Sequence, residues 1–350
     1  MKKSKNFLKH VLSVSVLLSL SSMSFADLVI NSAGSKASAP QTVSNWSSAE
    51  VNQLLNDDSV VSPKGSTTIT TTVRQSNGVS VSNAIPSTTP QIYDTNSYNS
   101  QPSVSARAAL VMDAQTGEVL YSKNTNSALP IASITKLMTG VVTADARLNM
   151  SEEIRLEAID FAGAGGKNSS STLKVGDTMN RAEMLLLALM KSKNQNEETL
   201  ARNYQGGRPT FVAAMNRKAR QLGMNSTHYT ESTGLDPRNI SSARDLGILV
   251  SASYDYGMIR QFSTTAHYDF NLGYRVLKSN NTNAMVRNGG WNINISKTGY
   301  INEAGRCVVM HTTVNSRPAV VVLLGASTSQ SRTNDATNLF NWVSNLPKRI

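Results

Sequence analysis

The feature that most constrains the fold is a change of composition near residue 105. From residue 27 to residue 104, serine, threonine, asparagine and glutamine dominate, aromatic residues are scarce and hydrophobic periodicity is poor. Such a segment cannot bury enough apolar surface to offset the entropy lost on folding. We therefore predict a mostly disordered linker over residues 27–104, with a short helix near residues 49–55, and a folded domain over residues 105–350.

The first 26 residues have the three parts of a secretory signal peptide. Four lysines precede residue 10, an apolar run extends from Val11 to Leu20, and Ser24-Phe25-Ala26 fits the small-x-small pattern of cleavage sites. The apolar run is too short to span a bilayer comfortably, which disfavours a membrane anchor. We expect residues 1–26 to be removed and the mature protein to be exported to the periplasm, with no transmembrane anchor.

Composition narrows the classes of function further. Cys307 is the only cysteine, so an intramolecular disulfide is excluded and the exported domain must rely on its apolar core. Cys307 lies in a strand-like apolar run and is expected to be buried and unreactive. The formal net charge is +11, and it is +7 without the four lysines of the predicted signal peptide. This charge fits a basic solvated surface or attraction to an anionic cell-wall polymer. Nucleic acid is a disfavoured partner because aromatic residues are few and no nucleic-acid motif is present.

Hydrophobic patterns place strands at both ends of the domain and helices between them. Apolar runs around turns predict an opening hairpin and a closing hairpin, with strands at residues 108–113, 119–121, 308–313 and 320–324. Apolar periodicity and capping residues predict helices at residues 133–148, 181–190, 209–222, 243–256 and 335–344. This order indicates an α+β fold: an antiparallel sheet packed with helices, plus an inserted all-helical cluster.

Ser133 and Lys136 form the first of three short motifs that together suit acyl transfer. A spacing of three places both side chains on one helical face, about one turn apart. A serine hydroxyl attacks an amide only when a base removes its proton, and a lysine is such a base only when burial or a nearby positive charge, here Lys297, keeps it neutral. The N–H groups of Ser133 and of the residue after Gly299 suit an oxyanion hole. The pattern alone also fits an ordinary amphipathic helix.

Two further motifs supply a second hydroxyl and a cation. Ser192 follows an apolar helix and suits a proton shuttle between lysine and a leaving amine, while the amide of Asn194 suits holding a substrate backbone. Lys297 and Thr298 lie on a predicted strand and suit a substrate carboxylate, and Gly299 would let a substrate backbone lie close to the strand. Alone, these motifs also fit a helix end leading into a polar loop and an edge strand with a charged residue.

The three motifs in this order resemble the serine penicillin-binding proteins and the related active-site-serine β-lactamases. Ser192 lies 59 residues after Ser133, and Lys297 lies 164 residues after it, spacings similar to those of compact members. Longer segments resemble the S11-type D-alanyl-D-alanine peptidases, and in one case their penicillin-binding protein 7/8 endopeptidase branch. These segments are residues 129–139, 231–235 and 239–246 for the family, and residues 297–307 for the branch.

The resemblance implies a β-lactamase/transpeptidase-like fold without a cofactor or a metal. It implies an exported serine D-alanyl-D-alanine endopeptidase that cleaves peptidoglycan peptide cross-links through an acyl-serine intermediate, with β-lactam antibiotics as inhibitors. It also implies roles for seven residues: Ser133 as nucleophile, Lys136 as base, Ser192 as a catalytic hydroxyl, and Asn194, Lys297, Thr298 and Gly299 as substrate-binding residues.

The segment after Asn194 departs from the family pattern. Many members follow this asparagine with aspartate and alanines, whereas this chain has Gln195-Asn196-Glu197-Glu198. We expect the catalytic atoms to be unaffected, but the departure puts the local helix capping in doubt.

Three alternatives stay open at the level of sequence. A DD-carboxypeptidase would use the same chemistry to remove terminal D-Ala, although only 53 residues follow Lys297, too few for the β-rich C-terminal domain of many such enzymes. A β-lactamase needs a deacylating base, and Glu231 falls near the expected place, but its surroundings resemble the peptidase turn. A non-catalytic wall-binding protein is disfavoured by the intact motifs.

A metallopeptidase is disfavoured because the histidines are scattered and no H-E-x-x-H motif is present.

Overall fold

The computed structural model describes residues 101–163 and 171–347. The predicted signal peptide, nearly all of the predicted linker and the short helix near residues 49–55 lie outside the described residues. These interpretations, and the boundaries of the three predicted segments, therefore stay predictions.

Antiparallel strand pairing organises the described part of the chain. The strands are β1 (Ala108–Asp113), β2 (Val119–Lys123), β3 (Leu129–Pro130), β4 (Glu153–Arg155), β5 (Thr178–Asn180), β6 (Ile240–Ser241), β7 (His267–Asn271), β8 (Val276–Asn280), β9 (Asn292–Ile301), β10 (Gly305–Val314) and β11 (Arg317–Ala326). Five of them form the main antiparallel sheet in the order β2-β1-β11-β10-β9. The other strands form the short pairs β3-β6, β4-β5 and β7-β8. The opening hairpin therefore lies beside the last strand of the chain.

Seven helices lie in the described chain between the two halves of the sheet, an eighth follows β11, and together they cover both faces of the sheet. They are α1 (Thr135–Asp145), α2 (Arg181–Lys191), α3 (Asn194–Arg202), α4 (Gly207–Gln221), α5 (Ala243–Ser253), α6 (Gly257–Thr264), α7 (Ala284–Asn288) and α8 (Ser329–Asn345). Single 3₁₀ turns lie at Ala132–Ile134 and Ala158–Phe161. The predicted α+β arrangement, an antiparallel sheet with an inserted helical cluster, is confirmed.

The apolar run of β11 explains why the sheet needs cover on both sides. Alternate side chains of a strand point to opposite faces. Val320 and Val322 join the core that contains α5, whereas Val321 and Leu323 join the core that contains α8. A continuous apolar run is typical of such a doubly covered strand. Cys307 of β10 is likewise buried, so the predicted burial of this cysteine is confirmed, and burial raises the pKa of its thiol to about 11.

Several helix boundaries differ from the predictions. The helix predicted over residues 133–148 begins only at Thr135, after a 3₁₀ turn, and ends at Asp145, because Ala132 and Arg147 have positive φ angles that an α-helix excludes. α8 begins six residues earlier than the helix predicted over residues 335–344, because Thr328 caps it by accepting a hydrogen bond from Ser331. Helices α3, α6 and α7 and the hairpin β7-β8 were not predicted.

Two negative findings apply to residues 101–163 and 171–347. No helix there is long and apolar enough to cross a membrane. Over the same residues, no group of three or more histidine, cysteine, aspartate or glutamate side chains is placed to hold a metal ion.

Asp335 on α8 ties the first residues of the predicted domain to the end of the fold. Its buried carboxylate accepts hydrogen bonds from the backbone N–H of Ser105 at 3.0 Å, from the Ser105 hydroxyl at 2.8 Å and from the Ala106 N–H at 2.9 Å. Hydrogen bonds to a charged group contribute more to stability than neutral ones, about 1.5–3 kcal/mol each. The carboxylate thereby holds the strand that leads into β1 against α8.

Replacement of Asp335 should measure this connection. We expect Asp335→Ala to lower the free energy of unfolding by about 2–4 kcal/mol, because two backbone N–H groups lose their charged acceptor. Asn338→Ala, on the exposed side of the same helix, should change it by about 0.5 kcal/mol or less. Urea unfolding followed by far-UV circular dichroism measures both. Equal effects of the two substitutions would contradict this interpretation.

Candidate active site

Ser133 lies in the 3₁₀ turn that leads into α1, and Lys136 lies in the first turn of that helix. The Lys136 Nζ to Ser133 Oγ distance is 3.2 Å, so the predicted contact of amine and hydroxyl is confirmed. The preceding residue, Ala132, has a φ of 49°, a conformation that costs a residue with a Cβ about 1–2 kcal/mol. Such strain persists only where the surroundings enforce it, and here it presents the hydroxyl of Ser133 at a half-buried position.

Lys136 is fully buried, with four oxygen atoms around its Nζ. These are Glu197 Oε2 at 2.7 Å, Asn194 Oδ1 at 2.8 Å, the backbone oxygen of Thr233 at 2.5 Å and Ser133 Oγ at 3.2 Å. A lysine ammonium has only three N–H donors. Ser133 is the most distant of the four. When the other three oxygen atoms accept hydrogen bonds from the ammonium, no N–H donor remains for the Ser133 hydroxyl.

Ser192 and Asn194 lie at the junction of α2 and α3. Ser192 ends α2 with a left-handed conformation, φ 65°, and Asn194 is the first residue of α3. This sharp junction sends the two side chains to different lysines. The Ser192 Oγ accepts a hydrogen bond from Lys297 Nζ at 2.8 Å, while Asn194 accepts one from Lys136. The second motif therefore links the first motif to the third.

The third motif lies on β9, at one edge of the main sheet. Lys297 is buried, and the hydroxyl of Thr298 donates a hydrogen bond to the hydroxyl of Thr282 at 2.7 Å. A Cβ added to Gly299 would lie 2.9 Å from the Ile131 oxygen and 3.0 Å from the Ser133 nitrogen. Gly299 thus lets the chain's own catalytic turn approach the strand, a requirement beyond the close substrate approach predicted from the sequence.

Glu231 holds the loop that brings the Thr233 oxygen to Lys136. Its carboxylate accepts hydrogen bonds from the N–H groups of Thr233 and Gly234, each at 2.6 Å, and from the Asn239 side chain at 2.9 Å. At Gly234, φ is 83° and an added Cβ would lie only 1.9 Å from the Ala132 oxygen. The loop therefore packs directly on the turn that carries Ser133.

The buried charges of the site shift one another's protonation. Burial lowers the pKa of Lys297 to about 7, and the positive charge of Lys136 lowers it as well, against the opposing effect of Glu197. Burial raises the pKa of Glu197 to about 8, although the charge of Lys136 opposes this shift. Removing a charge from water is costly unless the charge is paired, so both groups change protonation in or near the neutral range.

The structure brings all seven predicted site residues together and adds residues that the sequence did not indicate. The expectation that Gln195-Asn196-Glu197-Glu198 leaves the catalytic atoms unaffected was wrong, because Glu197 forms an ion pair with Lys136. The segment is not a polar loop but the buried start of α3. The signal available in the sequence was the pair of acidic residues in place of the usual alanines.

Comparison with known proteins identifies the family. Residues 95–328 match the family model of peptidase S11, described as D-alanyl-D-alanine carboxypeptidase. A D-alanyl-D-alanine endopeptidase of Pseudomonas aeruginosa is 44% identical over 69% of this chain and 78% of its own length. One of Escherichia coli is 40% identical over 70% of this chain and 79% of its own length. The chain belongs to the S11 family of D-alanyl-D-alanine peptidases and is a hydrolase of D-alanine peptide bonds.

A solved structure confirms the fold expected from the resemblance. The Streptomyces K15 DD-transpeptidase superposes with a TM-score of 0.65 at 25% sequence identity, over 69% of this chain and 98% of the other. The described part of the chain therefore has the penicillin-binding protein and transpeptidase fold.

The packing of Gly234 gives a prediction with a matched control. Gly234→Ala should lower the free energy of unfolding by roughly 3 kcal/mol or more and prevent labelling by a fluorescent penicillin, because the new Cβ must displace the Ala132–Ser133 backbone. Gly273→Ala also places alanine at a positive φ, 80°, but in open space. It should cost about 1–2 kcal/mol and leave labelling intact. Undiminished labelling of the Gly234 variant would show that the loop does not position Ser133.

Proposed function

We propose that the chain is a D-alanyl-D-alanine endopeptidase that hydrolyses the D-alanyl–diaminopimelate cross-links between peptidoglycan stem peptides, with Ser133 as the acylated nucleophile. The observation that carries the assignment of the residues is the pair of hydroxyl–amine contacts in one site, Ser133 with Lys136 and Ser192 with Lys297. The choice of endopeptidase over carboxypeptidase rests on the two relatives from Pseudomonas aeruginosa and Escherichia coli, which are both endopeptidases by name.

Acylation uses the four side chains of these two contacts. The Ser133 oxygen attacks the D-alanyl carbonyl carbon, and its proton passes to the neutral amine of Lys136. The N–H groups of Ser133 and Tyr300, on either side of Gly299, stabilise the negative charge on the carbonyl oxygen. The C–N bond then breaks, and the proton held by Lys136 passes through the hydroxyl of Ser192 to the leaving diaminopimelate amine, which leaves Lys136 neutral again. The product of this half-reaction is an ester of Ser133.

Deacylation repeats the proton transfers in reverse with water as the nucleophile. Water attacks the ester carbonyl, Lys136 takes its proton, and Ser133 recovers a proton as the ester bond breaks. Lys297 and Thr298 hold the carboxylate of the substrate, and Asn194 holds its backbone. Peptide bond cleavage therefore consumes one water molecule and returns every side chain to its starting state.

β-Lactam antibiotics are expected to acylate Ser133 by the same route and to leave slowly. A β-lactamase needs a base that activates water for deacylation, and Glu231 was the candidate from the sequence. The hydrogen bonds of Glu231 to Thr233 and Gly234 occupy its carboxylate with the loop backbone. This observation supports inhibition by β-lactams over their rapid hydrolysis.

The cellular location follows from the first part of the sequence and from the substrate. Peptidoglycan lies outside the cytoplasmic membrane, and the proposed signal peptide over residues 1–26 would deliver the enzyme to the periplasm. The proposed linker over residues 27–104 would then act as a spacer before the catalytic domain.

Digestion of purified cross-linked muropeptide dimers tests the proposed function. The wild-type protein should convert dimers to monomers, and Ser133→Ala should lose the activity by about 10³-fold or more because no nucleophile remains. Ser122→Ala, at an exposed position on β2, should keep it. Mass spectrometry measures the products. Loss of a single D-Ala from pentapeptides with dimers intact would indicate a carboxypeptidase instead, and no change in either substrate would contradict the peptidase assignment.

The pKa of Lys297 predicts how binding depends on pH. Since the cationic form holds a carboxylate and its pKa is lowered to about 7, the affinity should fall as the pH rises above 7. We expect the Kd of benzylpenicillin for the Ser133→Ala variant to increase about tenfold between pH 7 and pH 8.5. Calorimetry measures this binding without acylation. The methyl ester of the same penicillin, which lacks the carboxylate, should show no such trend, and parallel behaviour of the two ligands would exclude Lys297 as the carboxylate site.

A further inference from the structure

Glu197 is a buried carboxylate that has no role in the reaction steps proposed above. It lies on α3, its side chain is fully buried, and its Oε2 contacts Lys136 Nζ at 2.7 Å. The other oxygen, Oε1, has no hydrogen-bond partner among the described residues. A buried carboxylate is costly unless it is paired. Lys136 is the one cation in contact with Glu197 within the described part of the chain, so any benefit from this carboxylate comes through Lys136.

The four neighbours of Lys136 differ in charge. Asn194 and Thr233 contribute neutral oxygen atoms, and Ser133 contributes the hydroxyl that reacts. Glu197 is the neighbour that becomes negative. When Lys136 takes the proton of Ser133 it becomes an ammonium in a site without water contact, and a carboxylate at 2.7 Å stabilises that charge more than a neutral oxygen does.

We propose, building on the proposed function, that Glu197 is the third member of a Ser133–Lys136–Glu197 triad, in which its carboxylate orients the amine of Lys136 and stabilises the ammonium that forms during acylation. The arrangement parallels the serine–histidine–aspartate triad, where a buried carboxylate fixes the base and stabilises its protonated form. The contact of Glu197 is with the amine of Lys136, so it is a positioning residue that acts through Lys136.

Other charges face the pair and must be held constant in any test. Lys297 on β9 lowers the pKa of Glu197, and Glu231 in the loop before β6 raises it. Glu198 on α3 also has an electrostatic interaction with Lys136. None of these groups is altered by a substitution at position 197. The acid limb of a rate profile, which is the range where the rate rises with pH, then reports the effect of the residue at position 197 on the site.

The decisive variant is Glu197→Gln, which keeps the shape and removes the charge. We expect the rate constant of acylation at saturating benzylpenicillin to reach its plateau at a pH at least one unit lower than in the wild type, because a neutral amide no longer favours the ammonium of Lys136. The plateau itself should fall about 10–100-fold, since the weaker base is also less well oriented. Rapid quenching followed by mass spectrometry of the acylated protein, from pH 6 to pH 10.5, gives both values.

Two further variants distinguish a role of Glu197 in the triad from a role in packing alone. Glu197→Asp keeps the charge and should restore the position of the acid limb to within about half a pH unit of the wild type, with a lowered plateau. Glu198→Gln removes the neighbouring buried carboxylate, which pairs with Arg208 at 2.8 Å instead of Lys136. Because Glu198 interacts with Lys136 only as a minor electrostatic effect, this substitution should leave the plateau unchanged and move the limb much less than Glu197→Gln does. Thermal unfolding of each variant verifies the fold, and Glu197→Ala replaces Glu197→Gln if the latter does not fold.

The outcomes distinguish this inference from the proposed function. If the wild type is acylated on Ser133 and the Glu197→Gln profile has its limb at or above the wild-type pH, Glu197 serves packing alone and the triad is wrong. If the wild type is not acylated at any pH, the proposed function fails and the triad fails with it. A limb at lower pH in the Glu197→Gln variant, together with a much smaller shift in the Glu198→Gln profile, supports the triad.

Discussion

The burial of the Lys136 amine is the constraint on which the rest of the site depends. A lysine without contact to water must find oxygen atoms around it, since an unpaired buried charge costs several kcal/mol. These oxygen atoms come from separate parts of the chain: Asn194 and Glu197 from α3, and Thr233 from the loop before β6. The packing of α1 against α3 and against this loop is therefore fixed by one nitrogen atom.

Backbone strain occurs at both points where reactive hydroxyls are presented. Both Ala132, beside Ser133, and Ser192 itself have positive φ angles, which residues with a Cβ adopt at a cost. Glycine relieves crowding next to them, as Gly234 and Gly299 leave room for the turn that carries Ser133. The neighbouring strand and loop thus hold the nucleophile in place, instead of a regular helix.

Sequence patterns predicted those parts of the fold in which apolar residues are buried and polar residues are exposed. The apolar runs of β1, β10 and β11 and the periodic helices α2, α4 and α5 lie close to their predicted bounds, because burial there follows from hydrophobicity alone. The start of α3 could not be predicted in this way. Gln195, Asn196 and Glu197 are polar, yet they are buried, and the partner of Glu197 is Lys136, which lies in a segment distant in sequence. Thr233 could not be predicted either, because it contributes only a backbone oxygen to Lys136 and lies in another distant segment. The seven motif residues could be listed, but the ion pair of Lys136 could not.

The order of strands in the main sheet determines when the enzyme can complete its fold during synthesis. Ala108 pairs with Leu324, so the first strand of the domain finds its neighbour in the last one. Closing a loop of that length costs roughly 5 kcal/mol of chain entropy, and such distant pairings slow folding. Until β11 has been synthesised, the opening hairpin has one edge unpaired, and the sheet that carries Lys297 is incomplete. The growing chain therefore stays without a finished active site for nearly the whole of its synthesis, and enzymatic activity arises only when both ends of the domain meet.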